Sequence, residues 1–212
     1  MLSKISPDRH PVPIIFVDTL HHFPETIALL EKVKRRYPTA EFNIFTPQDA
    51  PTESDFTAKH GAELWKRNES LYDYHVKVEP ARRAYEQLNV RAILTGRRKS
   101  QGGSRRSLDV IEVDETGLIK VNPFANWSFK QVESYIRAHN VPYNELLDHG
   151  YRSVGDWHST VPVKEGEDER AGRWKGTEKT ECGLHENYLA MRIKAKLEAA
   201  QKTKAEGHGV AV

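Results

Sequence analysis

Ala92-Ile93-Leu94-Thr95-Gly96-Arg97-Arg98-Lys99-Ser100 runs from three apolar residues straight into a glycine and three consecutive cations. A short apolar run that stops at a turn signal reads as a buried strand of a parallel sheet. The same grammar occurs twice upstream. Ile14 to Val17 is apolar and ends in Asp18-Thr19, and Phe42 to Phe45 is followed by Pro47 and Pro51. Helical patterns separate these runs. Pro24 opens one, at a first-turn position where its missing N–H costs nothing. Ile27, Leu30 and Val33 follow at helical spacing, and Pro38 closes the element. Phe56 to Trp65 and Val78 to Leu88 read as further helices, with Arg82, Arg83 and Glu86 on a wet face. Strands alternating with helices predict an α/β fold, a mainly parallel sheet with flanking helices. Ligands of such sheets bind beyond the carboxyl ends of the strands. That makes Asp18-Thr19 and Thr95-Gly96-Arg97 the positions to watch.

Downstream, Val110 to Val113 and Leu118 to Val121 form a hairpin around Glu115-Thr116-Gly117. Ser128 caps a helix that runs to about Ala138, with Gln131 completing a capping box. Gly150 to Gly183 is glycine-containing and charged, a long loop region of the kind that is usually functional or mobile. Glu186 to Ala200 returns to a helical pattern, and a polar tail runs through Gly207-His208-Gly209. There is no internal repeat.

The 212 residues suit one domain, or one domain with an appendage. No apolar run approaches the roughly 20 residues of a membrane helix. Met1 to Pro13 holds no stretch that would serve as a signal peptide, so the expectation is an intracellular protein away from membranes. One cysteine excludes an intrachain disulfide, a four-cysteine zinc site and a four-cysteine iron–sulfur cluster within the chain. A net charge of +2 sets up no global field toward nucleic acid. Charge here is local.

Its densest concentration is Arg91 to Arg106, with six basic residues and no acidic one, and Gly102, Gly103 and Ser104 among them. Glycines let backbone N–H groups approach an anion, and arginine forks bind phosphate bidentately. A solvated basic loop is the bland alternative, but the position after a strand favours an anion site. Cys182 lies in Glu181-Cys182-Gly183-Leu184-His185. A lone cysteine is more often an inert small hydrophobe. Here, however, the flanks are polar, a helix follows, and His185 is close in sequence, all of which suit a reactive thiolate. Arg170 and Arg173 could offset Glu181 and Glu186. His21-His22 reads as structural. Trp157, Trp174 and Tyr151 fit either packing anchors or purine platforms, and Lys164 to Arg173 mixes both signs of charge.

Several of these stretches resemble one family in order along the chain. They are Phe16-Val17-Asp18-Thr19-Leu20-His21-His22-Phe23-Pro24, Thr95 to Gln101, Asn140 to Leu146, Tyr151-Arg152-Ser153 with Gly155-Asp156, Glu165 to Trp174, and Glu181 to His185. The family is that of the thioredoxin-dependent phosphoadenylyl-sulfate (PAPS) reductases of fungal type. The resemblance runs to about Tyr188. It implies an adenine nucleotide α-hydrolase-like (Rossmann-like) fold, with residues 1–150 as nucleotide-binding domain. Residues 151–188 would be a mobile substrate-covering loop with the cysteine motif, and 189–212 a helix and tail. It implies reduction of PAPS to sulfite and adenosine 3′,5′-bisphosphate in cytoplasmic sulfate assimilation. Reduced thioredoxin would be the electron-donating co-substrate, with no bound cofactor, no metal, and a homodimeric assembly.

By the same resemblance Cys182 is the nucleophile, with Glu181 and His185 beside it. Asp18, Thr19, Arg97, Arg98, Lys99, Ser100, Arg105, Arg106, Arg170 and Arg173 are the substrate-binding set. Relatives with a four-iron cluster take the 5′-phosphosulfate, so a single cysteine favours PAPS. The family also carries a strand, a phosphate loop and a helix ahead of the segment matching Ile14. Met1 to Ile5 reads as the end of that helix, and the expectation is a sheet incomplete at its N-terminus. A non-catalytic fragment keeping a nucleotide-binding or dimer-forming surface is the competing reading.

Overall fold

The computed structural model describes residues 12–185 and 188–207, leaving out the side chains of 185 and 199–207. These residues fall into two compact units, each assembled from separated segments. The first comprises 12–16, His21–Ile44 and Ala84–Thr180; the second comprises Val17–Leu20, Phe45–Arg83, 181–185 and 188–207.

Strand β1 (Ile14–Val17) pairs with β2 (Phe42–Phe45). Ile14 N–H donates to Glu41 and Asp18 N–H to Phe45, so both chains advance together and the pair is parallel. Helix α1 (Pro24–Arg36) joins them. Pro24 sits in its first turn, Glu25 near its positive end, and Lys34, Arg35 and Arg36 in its last turn, each sign matching the helix dipole.

In the first unit β3 (Ala92–Leu94) runs parallel to β5 (Ile119–Val121), and β4 (Ile111–Val113) runs antiparallel to β5. The hairpin closes on Asp114, whose carboxylate accepts from the backbone of Thr116 and Leu118. Helix α6 (Phe129–Ala138) begins with the Ser128–Gln131 capping box that its sequence predicts. The α/β class stands.

Residues 150–180 hold little regular structure, yet they are strapped down. Val161 N–H donates to Gly172 and Trp174 N–H to Ser159, making a short antiparallel clasp. A Cβ on Gly172 would stand 2.0 Å from the Val161 carbonyl, so the clasp closes only on glycine. Asp156, Thr160, Glu169 and Trp174 are buried. Trp157 N–H donates to His21, which is itself buried against the rings of Trp157 and His158.

The second unit is helical. Helix α2 (Glu53–His60) starts at a Thr52 cap and stops at Gly61, in the left-handed region at φ 78°. The single helix expected over Phe56 to Trp65 is therefore two, the second being α3 (Leu64–Arg67). Glycine ends the first because only it takes this φ without a Cβ clash. The helix expected from Val78 starts earlier: α4 (Glu69–Asp73), a π-turn over Tyr74–Val78 and α5 (Glu79–Gln87) follow without a break. Ala50, Phe56, Leu64, Tyr72 and Val76 form the core, with Leu20, Trp65 and Leu71 packed on it. Full burial of large apolar side chains is worth roughly 1.5–3 kcal/mol each, so this cluster dominates the unit's cohesion. Helix α7 (Tyr188–Gly207) turns Met191 and Ala195 inward, one turn apart. No helix among the described residues is long and apolar enough to cross a membrane.

Candidate active site

The chain leaves β3 at Leu94, turns through Gly96 and folds into two 3₁₀ turns, Lys99–Gln101 and Gly103–Ser107. Gly102, at φ 70°, joins them. Gln101 ties the loop together, its Oε1 accepting from Arg98 N–H at 3.0 Å and from Arg105 Nη1 at 2.5 Å. The Arg98 guanidinium forms an ion pair with Glu169, at 8% and 7% exposure respectively. Removing one partner of such a buried pair costs about 3–5 kcal/mol, because the other is left charged and dry. Ser100 Oγ lies 3.1 Å from both Glu169 Oε1 and the Trp127 carbonyl. Arg97 reaches Glu112 and lies 3.4 Å from Thr95 Oγ1. Glu112 is in turn oriented by the buried Asn122, whose Nδ2 donates to it at 2.9 Å.

The six cations of this segment are thus not equivalent. Arg97 and Arg98 are each met by a carboxylate, and Arg105 is buried on Gln101. Arg98 Nε is buried without a hydrogen-bond partner among the described residues, which leaves one donor of that fork uncommitted. Lys99 and Arg106 are exposed and make no ion pair among the described residues.

A second cationic group surrounds Trp174. Arg173 Cζ stands 4.4 Å from the indole centre, Lys179 Nζ 5.1 Å and Arg170 Cζ 5.4 Å. The ring's negative face partly offsets their mutual repulsion. Backbone carbonyls hold two of them, Val154 accepting from Arg173 at 3.1 Å and Thr180 from Arg170 at 2.9 Å. Trp174 is buried at the centre of this arrangement, whereas Trp157 is exposed.

Asp18, Thr19, Glu181 and Cys182 belong to the second unit. Asp18 Oδ1 accepts from Leu20 N–H at 2.9 Å, an Asx-turn that holds Leu20 at φ 68°. That is an unusual value for a branched residue, and such strain clusters at functional sites. Thr19 is buried. Cys182 and Glu181 are half-buried just ahead of a 3₁₀ turn, Gly183–His185. The His185 side chain lies outside the described residues. Gly183 N–H donates to Asp73 Oδ2 at 3.1 Å, and Asp73 Oδ1 accepts from Lys77 Nζ at 2.7 Å.

Sequence reasoning singled out neither Asp73 nor Lys77. The signal was present: two opposite charges four residues apart inside the otherwise aromatic and apolar run Leu71 to Val78. Glu169 and Gln101, which organise the basic loop, lie in stretches that carry the family resemblance, but the sequence alone assigns them no role.

The alternating strands and helices and the cation-rich loop at the end of a parallel strand define an α/β protein of the adenine nucleotide α-hydrolase-like class. Residues 1–162 match the family model of the phosphoadenosine phosphosulfate reductase domain, and the chain belongs to that family. It is 61% identical over 186 residues to the phosphoadenosine phosphosulfate reductase of Emericella nidulans, covering 87% of this chain and 61% of that one. It is 41% identical over 187 residues to adenosine 5′-phosphosulfate reductase 2 of Bacillus subtilis, covering 88% of this chain and 76% of that one. The crystal structure of PAPS reductase from Candida auris in a phosphate complex superposes with a TM-score of 0.68 at 54% identity, covering 76% of each chain.

Proposed function

We propose that the protein reduces 3′-phosphoadenylyl sulfate to sulfite and adenosine 3′,5′-bisphosphate with reduced thioredoxin, as a cytosolic enzyme of sulfate assimilation that works as a homodimer. The Cys182 thiolate attacks the sulfonyl sulfur. The bond from that sulfur to the bridging phosphate oxygen breaks, and the bisphosphate leaves with the electron pair. Cys182 is then an S-sulfocysteine. One thiolate of thioredoxin attacks the Cys182 sulfur and expels sulfite. The second thioredoxin thiol resolves the mixed disulfide, so thioredoxin is oxidised and Cys182 returns to a thiol. An anionic nucleophile meeting an anionic substrate needs positive charge around both.

Family membership supports this reading, and the observation that carries it is Cys182 itself. It is the chain's one thiol, half-exposed on a turn whose backbone is pinned at the next residue. For the phosphates and sulfonate, Lys99 and Arg106 are exposed cations with no ion pair among the described residues, and Arg98 Nε has no hydrogen-bond partner among them. Arg97, Arg105, Ser100, Asp18 and Thr19 serve by holding their loops in shape. Arg170 and Arg173 add positive potential at Trp174. The name of the Bacillus relative raises a competing substrate, adenylyl sulfate without the 3′-phosphate. The fungal relatives, at higher identity, favour PAPS.

Cys182→Ser tests the proposal. A hydroxyl is a far weaker nucleophile than a thiolate at neutral pH, so sulfite release should vanish while adenosine 3′,5′-bisphosphate binds as before. Turnover within about tenfold of the wild type would remove Cys182 from the chemical role. Sulfite release from adenylyl sulfate at a rate equal to that from PAPS would assign the competing substrate.

A further inference from the structure

We propose that Asp73 is a positioning residue for Cys182 and that Lys77 is the counter-charge that lets it serve there. The inference rests on the reading of Cys182 as nucleophile. Asp73 is the last residue of α4, and Lys77 lies in the π-turn that follows. The two carboxylate oxygens face different partners. Oδ1 accepts from Lys77 Nζ at 2.7 Å, and Oδ2 accepts from the backbone N–H of Gly183 at 3.1 Å, across 110 residues of sequence. The carboxylate is therefore a bridge between a helix of the core and the residue next to the reactive sulfur.

A helix staple is the bland explanation, and burial argues against it. An exposed pair four residues apart adds roughly 0.2–0.5 kcal/mol to a helix. Here Asp73 is 3% and Lys77 7% exposed, so both charges bear a desolvation penalty that such a gain does not offset. The charge-assisted bond to Gly183 gives the buried carboxylate a purpose that a staple lacks. Lys77 Nζ also stands 5.0 Å over the Tyr72 ring, which helps keep the cation in place.

Gly183 itself fits its place only without a side chain. A Cβ there would lie 2.8 Å from Met191 Cε, 3.0 Å from Val78 Cγ2 and 3.1 Å from Asp73 Cβ. The cysteine turn is thus seated directly on the π-turn, and backbone rather than side chain makes the contact. π-turns inside α-helices are frequent at functional sites, where the extra residue re-aims neighbouring groups. Glu181 and Cys182 themselves lie outside regular structure. One bond from a buried carboxylate to the adjacent amide is an efficient way to hold a nucleophile in line. Misplacing reacting atoms by about 1 Å costs on the order of a hundredfold in rate.

Two double variants separate positioning from packing. Asp73→Asn/Lys77→Met keeps an acceptor for Gly183 and removes both charges; Asp73→Ala/Lys77→Met removes the acceptor as well. The proposal expects the Ala/Met protein to lose about tenfold or more in kcat, with KM for PAPS and Kd for adenosine 3′,5′-bisphosphate within about threefold of wild type. The Asn/Met protein should recover most of that kcat. Amide hydrogen exchange at Gly183 should quicken in Ala/Met and stay slow in Asn/Met, a readout independent of turnover. Equal kcat in the two variants, or unchanged exchange at Gly183 in Ala/Met, would overturn the positioning role. Cys182→Ser in the same assay keeps the two claims apart. If it still turns over, the nucleophile reading fails, and the exchange data alone decide whether Asp73 holds the turn.

Discussion

Burial, followed by the charges of His60 and Lys59, pushes the His75 imidazole down from 6.5 to about 4. Its ring lies 4.3 Å from that of His60 and 5.5 Å from that of Tyr74, and the Asp49 carboxylate acts weakly in the opposite direction. An unfolded chain protonates this histidine near 6.5, while the folded chain resists until about 4. Between those values the unfolded state binds the extra proton. The stabilising contribution is therefore complete above 6.5 and is lost as the pH falls through the window toward 4. Thermal melts should show the wild type losing more stability between pH 7 and 4.5 than His75→Phe, which has nothing to titrate there; parallel losses would contradict the assignment. His75, Asp73 and Lys77 share one short run, yet none of them stood out as chemistry in the sequence. Cys182 did, because a polar, glycine-containing flank is a local property. The carboxylate that pins its neighbour is 110 residues away, and only the fold brings it there. The same holds for Arg98, which reads as a free cation until the chain returns with Glu169.

Strands and most helices were legible because their signals are short-range: apolar runs ended by glycine or proline, the Ser128–Gln131 box, Pro24 in a first turn. The break at Gly61 was not, because the apolar period continuing through Leu64 and Trp65 masked it. The π-turn was not, since one extra residue barely disturbs helical spacing. The register of the three-stranded sheet has a consequence of its own. Ile111 pairs with Val121 and Val113 with Ile119, while Ala92 and Leu94 flank Ile119 and Val121, so all six side chains share one face. Ile111 is 63% and Val113 66% exposed, and Leu94 and Ile119 are exposed as well. A contiguous bare apolar face on strands is an association liability. The 212-residue chain should self-associate with rising concentration in sedimentation velocity, and Ile111→Lys with Val113→Thr should suppress this while leaving the melting temperature nearly unchanged. Concentration-independent sedimentation of the wild type would show that the face does not drive association.

Across the whole molecule, the fold class and family were readable from the chain because their marks are ordered motifs spread over most of its length. Its division into units was not, because each unit gathers segments far apart in sequence and no compositional boundary marks them. The proposed chemistry turns on Cys182 carrying the sulfonate between substrate and thioredoxin. The direct measurement is peptide mass spectrometry of the protein incubated with PAPS and no reductant. A sulfonate is expected on the Cys182 peptide, matched by stoichiometric release of adenosine 3′,5′-bisphosphate, and should disappear with equal release of sulfite once reduced thioredoxin is added. Sulfite formed while Cys182 stays unmodified, or nucleotide released without a sulfonate on that peptide, would contradict it.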